Sequence, residues 1–404
     1  MNHTPVYLNQ LGLVCALGDN HDDIHRRFTT CEDSYLTTTA KHSPGHRLPL
    51  GVVTTPLPSL AGFPAHERTR TNQLLIAAMK QIKPAFDAAR SHLDPLRIGI
   101  VLGTSTSGIA EGESAVAQSE CLGELPEAFH YASQEMAAPA DCLARWLDID
   151  GPVYVVSTAC SSSAKALASA RRLLRMDICD LVIAGGVDSL CGLTVNGFLA
   201  LESVSNEVCQ PFSQSRNGIN IGEGAALFLL SRETNPGGLG LEPSGSVQLS
   251  GVGETSDGHH ISAPDPTGAG AAAAMLKALK DAELIADEID YLNLHGTATT
   301  QNDRMESLAV AQVLGNKVAC SSTKTFTGHT LGAAGAIEAA ICWLTLTRDS
   351  TVLPLHRWDG KRDPDVAPIN LVQPDAQKAV IRRTMSNSFA FGGNNISLVM
   401  ELAR

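Results

Sequence analysis

The sequence predicts an α/β protein built from a duplicated βαβ-rich unit, and three observations carry that reading. Apolar strand-like runs alternate with helical stretches along 404 residues, the pattern of a sheet flanked by helices. Strand-to-helix turns made of small residues occur in both halves and in the same order. Glycine is abundant, with 35 residues, which suits helices packed closely on sheets and loops that approach a ligand. A chain of this length exceeds one ordinary core. Two halves are therefore expected, 1–240 and 241–404, with the Gly- and Pro-rich stretch 236–245 between them.

Val6 to Leu17 reads as a strand and Asp19 to Phe28 as a helix. Thr37 to Pro64, rich in Pro, Thr and Gly, reads as loop with short extended pieces. Thr71 to Arg90 has the spacing of an amphipathic helix. Arg97 to Gly103, RIGIVLG, reads as a buried strand ending in the small-residue loop TSTSG, and Pro139 to Leu147 as a helix. Val153 to Val156, VYVV, reads as a short buried strand, since β-branched and aromatic residues favour strands. Small and hydroxylated residues follow, Ser157 to Ser163, and then an Ala- and Leu-rich helix, Ala164 to Leu174. Asp180 to Gly186 is another apolar strand. The second half echoes this order. Ile289 to Leu294 runs into HGTATT as RIGIVLG runs into TSTSG, and Lys317 to Cys320 leads to an alanine-rich helix, Leu331 to Leu346, as VYVV leads to the helix after Cys160.

Composition narrows the function classes. Hydrophobic residues make up 44% and charged residues 18%, values of a globular chain. A net charge of −12 argues against nucleic acid as a general partner. The ten cysteines show no CxxC pairs or zinc-finger spacing, and the first residues lack a basic segment and a cleavage site, so reduced thiols and a cytoplasmic location are expected. No apolar run reaches about 18 residues, so no membrane span is expected.

Cys160 stands at the turn between VYVV and its helix. Free backbone N–H groups and the helix dipole stabilise a thiolate at such a place, and the neighbouring side chains look too small to bury it. The competing reading is an inert core cysteine. Three further stretches hold chemistry: His295 at the end of an apolar strand, followed by GTATT; Lys324 and His329 in the hydroxyl-rich loop SSTKTFTGH; and Ser388 to Asn395, SFAFGGNN, where rings precede glycines. Taken singly, His295 suits a core histidine, Lys324 a solvated lysine and the phenylalanines plain core.

Together, TACSSS, HGTATTQND, KTFTGHTLGAAG and SFAFGGNN, with PFSQSRNGINIGEGAA at Pro211 to Ala226, closely resemble the β-ketoacyl-acyl-carrier-protein synthases of the elongating Cys-His-His type. The resemblance implies the thiolase fold, a five-layered αβαβα arrangement of two similar halves, usually dimeric. It implies decarboxylative Claisen condensation: an acyl chain on Cys160 joins malonyl-acyl-carrier protein to give 3-oxoacyl-acyl-carrier protein, CO2 and free carrier protein. It assigns the oxyanion hole to the N–H groups of Cys160 and Phe391, and the malonyl thioester carbonyl to His295 and His329. Lys324 pairs with Glu338, Thr297 and Thr299 bind the pantetheine arm, and Phe391 with Phe389 forms the gate. The implied partners are an acyl carrier protein, with Arg68 and Arg70 as contacts, and a second subunit, either a copy or a chain-length-factor-like ketosynthase. Neither a metal nor a resident cofactor is implied, because 4'-phosphopantetheine arrives on the carrier. Departures from the family pattern are Ala390 before the gate ring, expected to restrict it, Asn217 after Arg216, Asn394 after the glycines, and Leu201 with Glu202 where relatives carry a basic residue. The NGINIGEGAALFL and SAPDPTGAG segments resemble accessory synthases such as those of aryl polyene lipids. Two alternatives remain open on sequence: a thiolase-like acyl-CoA condensing enzyme, and a catalytically silent chain-length partner.

Overall fold

Two sheets with the same strand order make up the core of the computed structural model, which describes residues 4–30, 34–127, 129–234, 246–374, 376 and 380–403. The N-terminal half contains β1 (Tyr7–Val14), α1 (His21–Thr30), the short pair β2 (Thr37–Thr39) and β3 (Leu48–Leu50), α2 (Arg70–Arg90), β4 (Ile98–Gly103), α3 (Ile109–Leu122), α4 (Ala138–Leu147), β5 (Val153–Val156), α5 (Ser162–Arg175), β6 (Leu181–Asp188), α6 (Gly192–Ala200) and β7 (Gly224–Ser231). The C-terminal half contains β8 (Val247–Ser256), α7 (Ala269–Asp281), β9 (Tyr291–Asn293), α8 (Thr300–Val313), β10 (Ala319–Ser321), α9 (Lys324–Thr327), α10 (Ala334–Thr347), β11 (Asn370–Leu371), β12 (Arg383–Ala390) and β13 (Asn394–Leu402).

The strands hydrogen-bond in one continuous eleven-stranded order that divides at the β1–β8 pairing into a first sheet, β1-β7-β6-β4-β5, and a second, β8-β13-β12-β9-β10-β11. In both, the first three strands are antiparallel and the later ones parallel. The echo in sequence is therefore a correspondence of strands: β4 with β9, β5 with β10, and the helix after each, α5 with α10. The sheets meet where Tyr7 and Leu8 of β1 pair with Gln248 and Val247 of β8. The segment 236–245, expected as the boundary, lies outside the described residues.

Three apolar clusters stack the layers. α5 and α10 lie between the sheets, with Ala164, Leu167, Ile337 and Ile341 packed on Val182, Phe228 and Leu398. Outside the first sheet, Leu74, Leu75, Met79, Ile82 and Phe86 of α2 and Leu143 of α4 cover Ile100, Ile183 and Leu227. Outside the second, Met275 of α7 and Met305 and Val310 of α8 cover Leu292 and Val399. This makes five layers, αβαβα. Gly335 sets the spacing of the central layer, because a Cβ there would stand 2.7 Å from Ala164 Cβ, well inside contact distance. Among the described residues, no helix is long and apolar enough to cross a membrane.

Two local expectations are corrected. VYVV is not buried: β5 is the last strand of its sheet, and all four residues are half-exposed along the unpaired edge. The helix expected from Leu331 starts later, because Leu331 sits at φ +52° and Leu331–Ala333 forms a tight 3-10 turn before α10.

Candidate active site

Hydroxyl groups build the turn that carries Cys160. Between β5 and α5, the Thr158 N–H donates to Ser162 Oγ at 2.8 Å, and Ser161 Oγ donates to the Thr158 carbonyl at 2.8 Å. Ala159 lies at φ +51°, a left-handed conformation that costs a Cβ-bearing residue about 1–2 kcal/mol. The strained turn faces Cys160 Sγ toward the other half, 3.0 Å from His329 Nε2.

His329 stands in the equivalent turn of the C-terminal half. Its N–H donates to the Asn220 carbonyl at 2.6 Å and its carbonyl accepts from the Gly222 N–H at 2.9 Å. The NGINIGEG segment thus clamps the histidine backbone. Gly328, at φ +70°, makes the turn, with the Gly222 Cα only 3.0 Å from where its Cβ would stand.

His295 follows β9 and is held by a carboxylate. Glu306 of α8 accepts the N–H groups of His295 and Gly296 at 2.8 and 2.7 Å, and Asn387 Nδ2 at 3.3 Å. Lys324 Nζ donates to the Glu338 carboxylate and to the His295 carbonyl, and lies 3.4 Å from His295 Nδ1. The His295 and His329 rings meet edge to face at 5.4 Å, and one donor atom from each of Cys160, His295 and His329 lies within 4.8 Å of the others.

Cys160, His295 and His329 open on a cavity of about 370 Å³ that Thr297, Thr299, Phe389 and Phe391 also line. The two threonine hydroxyls bond each other at 2.9 Å. The Phe389 ring is 6.2 Å from His295, and Phe391 rests on Phe198 at 5.7 Å. Arg68 and Arg70 do not reach this cavity. Both line a separate surface cleft, where Arg70 pairs with Glu223 at 2.6 Å and Arg68 donates to the carbonyls of Phe63 and Ala61.

Burial decides the charges. Cys160 is 6% exposed, and burial pushes its thiol up to about 12, with Lys324 pulling the other way. This corrects the expected unburied thiolate: desolvation outweighs the helix terminus. Burial, reinforced by Lys324, holds His295 and His329 well below the ordinary imidazole range, so both are neutral. Burial lifts Glu338 and Glu306 to about 7, opposed at Glu338 by Lys324 and at Glu306 by the N–H groups of Gly296 and His295. His329 Nδ1 makes no hydrogen bond among the described residues, so neither imidazole tautomer is locked.

Ala390 is extended, at φ −109° and ψ 155°, and accommodates its Cβ without strain. The positive-φ positions of the loop are Gly392 at +80° and Gly393 at +74°, so its left-handed backbone lies after the gate ring rather than before it.

The N-terminal domain of β-ketoacyl synthases matches residues 20–235, and the C-terminal domain residues 247–356. The chain belongs to the β-ketoacyl synthase family. It is 33% identical over 310 residues to nodulation protein E of Rhizobium meliloti, a match covering 76% of each chain. It is 37% identical over 263 residues to 3-oxoacyl-[acyl-carrier-protein] synthase 2 of the same species, covering 62% of this chain and 61% of that one. Among solved structures, it matches a ketosynthase (ApeO) in complex with its chain length factor (ApeC) from Xenorhabdus doucetiae at 42% identity and a TM-score of 0.90, covering 99% of this chain and 98% of that one. The five layers are the thiolase fold of these synthases.

Sequence reasoning missed several residues that hold this ketosynthase site together. Glu306 is one. Its signal was an acid beside Met305 and Ala309 on the apolar face of a helix. Asp188 at the end of β6 is another: its buried carboxylate accepts from the Thr104 and Thr106 hydroxyls and from the N–H groups of Ser105, Thr106 and Ala333. It ties the loop after β4 to the turn that follows His329. Asp303 accepts the Phe212 N–H at 2.7 Å and the Ala298 N–H at 3.2 Å, joining the PFSQ segment to the Thr297–Thr299 loop.

Proposed function

We propose that this chain is an elongating 3-oxoacyl-acyl-carrier-protein synthase, the catalytic acyltransferase of its assembly. The observation that carries the reading is the convergence of Cys160, His295 and His329, from both halves, at one cavity, with Lys324 buried behind His295. As sulfur attacks the acyl thioester, the thiol proton passes by way of His329 Nε2 to the departing pantetheine sulfur. The N–H groups of Cys160 and Phe391 take the tetrahedral oxyanion. A tautomer change at His329, whose Nδ1 has no hydrogen-bond partner among the described residues, readies it for the second step. Neutral His295 and His329 then offer N–H groups to the malonyl thioester carbonyl. The C–C bond to the carboxyl group breaks, CO2 leaves, and the electron pair becomes an enolate that attacks the acyl carbonyl on Cys160; the C–S bond to Cys160 then breaks, and the released thiolate takes a proton from solvent. Preorganised donors in a dry site suit this charge development, each worth about 10²–10³-fold in rate. Lys324 and Glu338 fix the His295 carbonyl and keep a cation under the site.

The chain needs no resident cofactor in this reading, since the pantetheine arm comes with the carrier protein and lies along Thr297 and Thr299. The unpaired β5 edge, with apolar side chains half-exposed, is where a second subunit would continue the sheet. The similar ApeO ketosynthase is in complex with its chain length factor, which favours a heterodimer in which this chain is the active member, in an accessory pathway of the aryl polyene kind in the cytoplasm. Retention of all four polar residues argues against the silent-partner role. Incubation with acyl- and malonyl-carrier protein tests the reaction by mass spectrometry. The expected product is a carrier-bound 3-oxoacyl chain two carbons longer, with equimolar CO2. Condensation without CO2 would instead support a thiolase-like enzyme.

A further inference from the structure

One side chain links the nucleophile's helix to the Phe391 loop. Lys165, in the first turn of α5, donates from Nζ to Asn394 Oδ1 at 2.9 Å. Asn394 is the first residue of β13 and follows Gly392 and Gly393 directly. It pairs with Ala390 on one side and Ser256 on the other, so the ladder anchors it at the end of the glycine loop. Its side chain lies close to the loop: Asn394 Nδ2 is 3.7 Å from where a Gly392 Cβ would stand. The rest of the loop is held from the outside, where the Gly392 N–H donates to the Ile261 carbonyl at 2.8 Å and the Gly393 carbonyl accepts the Asp257 N–H at 2.9 Å. Lys165 alone ties it to the Cys160 side among these contacts.

The placement is unusual for lysine. Surface lysines keep their ammonium groups in water, whereas Lys165 is half-buried and, among the described residues, hydrogen-bonds only a neutral amide. Burial and Arg172 both push its ammonium toward the neutral form. Among the described residues no carboxylate pairs with it, so the contact is costly unless the bond fixes something.

We infer that Lys165 is a positioning residue that pins Asn394 to the first turn of the Cys160 helix and so keeps the Phe391 N–H in register with the Cys160 N–H. This rests on the ketosynthase reading, in which those two N–H groups form the oxyanion hole. An oxyanion hole drawn from two chain segments needs a tether between them, because a donor displaced by a fraction of an ångström loses much of its effect. Cys160 belongs to the N-terminal half and Phe391 to the C-terminal half, and Lys165–Asn394 bridges the two within a few residues of each donor.

Three rates separate this role from simple support of the fold: acyl transfer from acyl-carrier protein to Cys160, alkylation of Cys160 by iodoacetamide, and malonyl-carrier decarboxylation. Acyl transfer uses the oxyanion hole, and the other two do not. Lys165→Met should slow acyl transfer about 10-fold, the scale of a weakened rather than a deleted donor, and leave the other rates within about two-fold. Lys165→Arg, which keeps a donor, should restore acyl transfer. Unchanged acyl transfer in Lys165→Met, or an equal fall in all three rates, would overturn the inference. Failure of the ketosynthase reading itself would look different, since wild-type protein would then take no acyl group at all.

Discussion

The turn between β5 and α5 and the turn between β10 and α10 occupy the same place in the duplicated fold, yet they supply opposite halves of the chemistry. The first is short, residues 157–161, and one strained alanine presents a sulfur. The second is longer, residues 322–333, with α9 and a 3-10 turn folded into it, and it presents an ammonium group and an imidazole. The scaffold fixes where a turn opens on the centre, and loop length decides what is delivered there. Burial acts on both turns alike, because it disfavours charge: the thiol is pushed up and the imidazoles down. Beneath the centre, Lys324 is paired with Glu338.

Breaking the charged pair of the second turn should have the largest effect. Lys324→Met leaves Glu338 buried without its partner, and removing one member of a buried pair costs about 3–5 kcal/mol. Denaturant midpoints should fall accordingly, with Lys324→Met/Glu338→Leu recovering stability but not decarboxylation. Next come the imidazoles. His295→Ala and His329→Ala should each lower malonyl-carrier decarboxylation about 10²–10³-fold, while Cys160→Ala should spare it, separating the roles of the two turns. Closing the gap between them is a smaller perturbation. Gly335→Ala drives a methyl into Ala164 and should cost about 1–3 kcal/mol, read as a lower Tm with a shift in acyl transfer.

The smallest effect is on pH dependence. With the thiol pushed up to about 12, alkylation of Cys160 by iodoacetamide should rise about tenfold per pH unit through pH 9. A plateau below pH 8 would reveal a preformed thiolate. Stability has its own sign. The buried imidazoles resist protonation that the unfolded chain accepts below its ordinary value of 6.5, so they contribute a loss of stability as pH falls through that value. Glu306 and Glu338 act oppositely: raised to about 7 from 4.5, they favour the folded state below 4.5 and lose that contribution as pH rises through 7.

Much of this comparison was legible in the chain. The pairing of RIGIVLG with Ile289–Leu294 and of VYVV with Lys317–Cys320 named corresponding strands, because apolar β-branched strands and Ala-rich helices leave local patterns. Cys160, His295, Lys324 and His329 stood in small-residue loops at strand ends, where sheets place their chemistry. What could not be read depends on residues far apart in the chain. The ionisation of Cys160 follows from layers packed over it, and the exposure of β5 from its place in the strand order. Glu306 and Asp188 look like ordinary acids until the fold brings backbone N–H groups to them. The Glu223 partner of Arg70 is likewise 153 residues away in the chain.

The central claim is tested most directly by intact-mass analysis after mixing the protein with acyl-carrier protein carrying a medium-length acyl chain. One acyl group should appear on wild-type protein, map to Cys160, and vanish in Cys160→Ala. A wild-type chain that stays unmodified, or an adduct that persists without Cys160, would contradict the account.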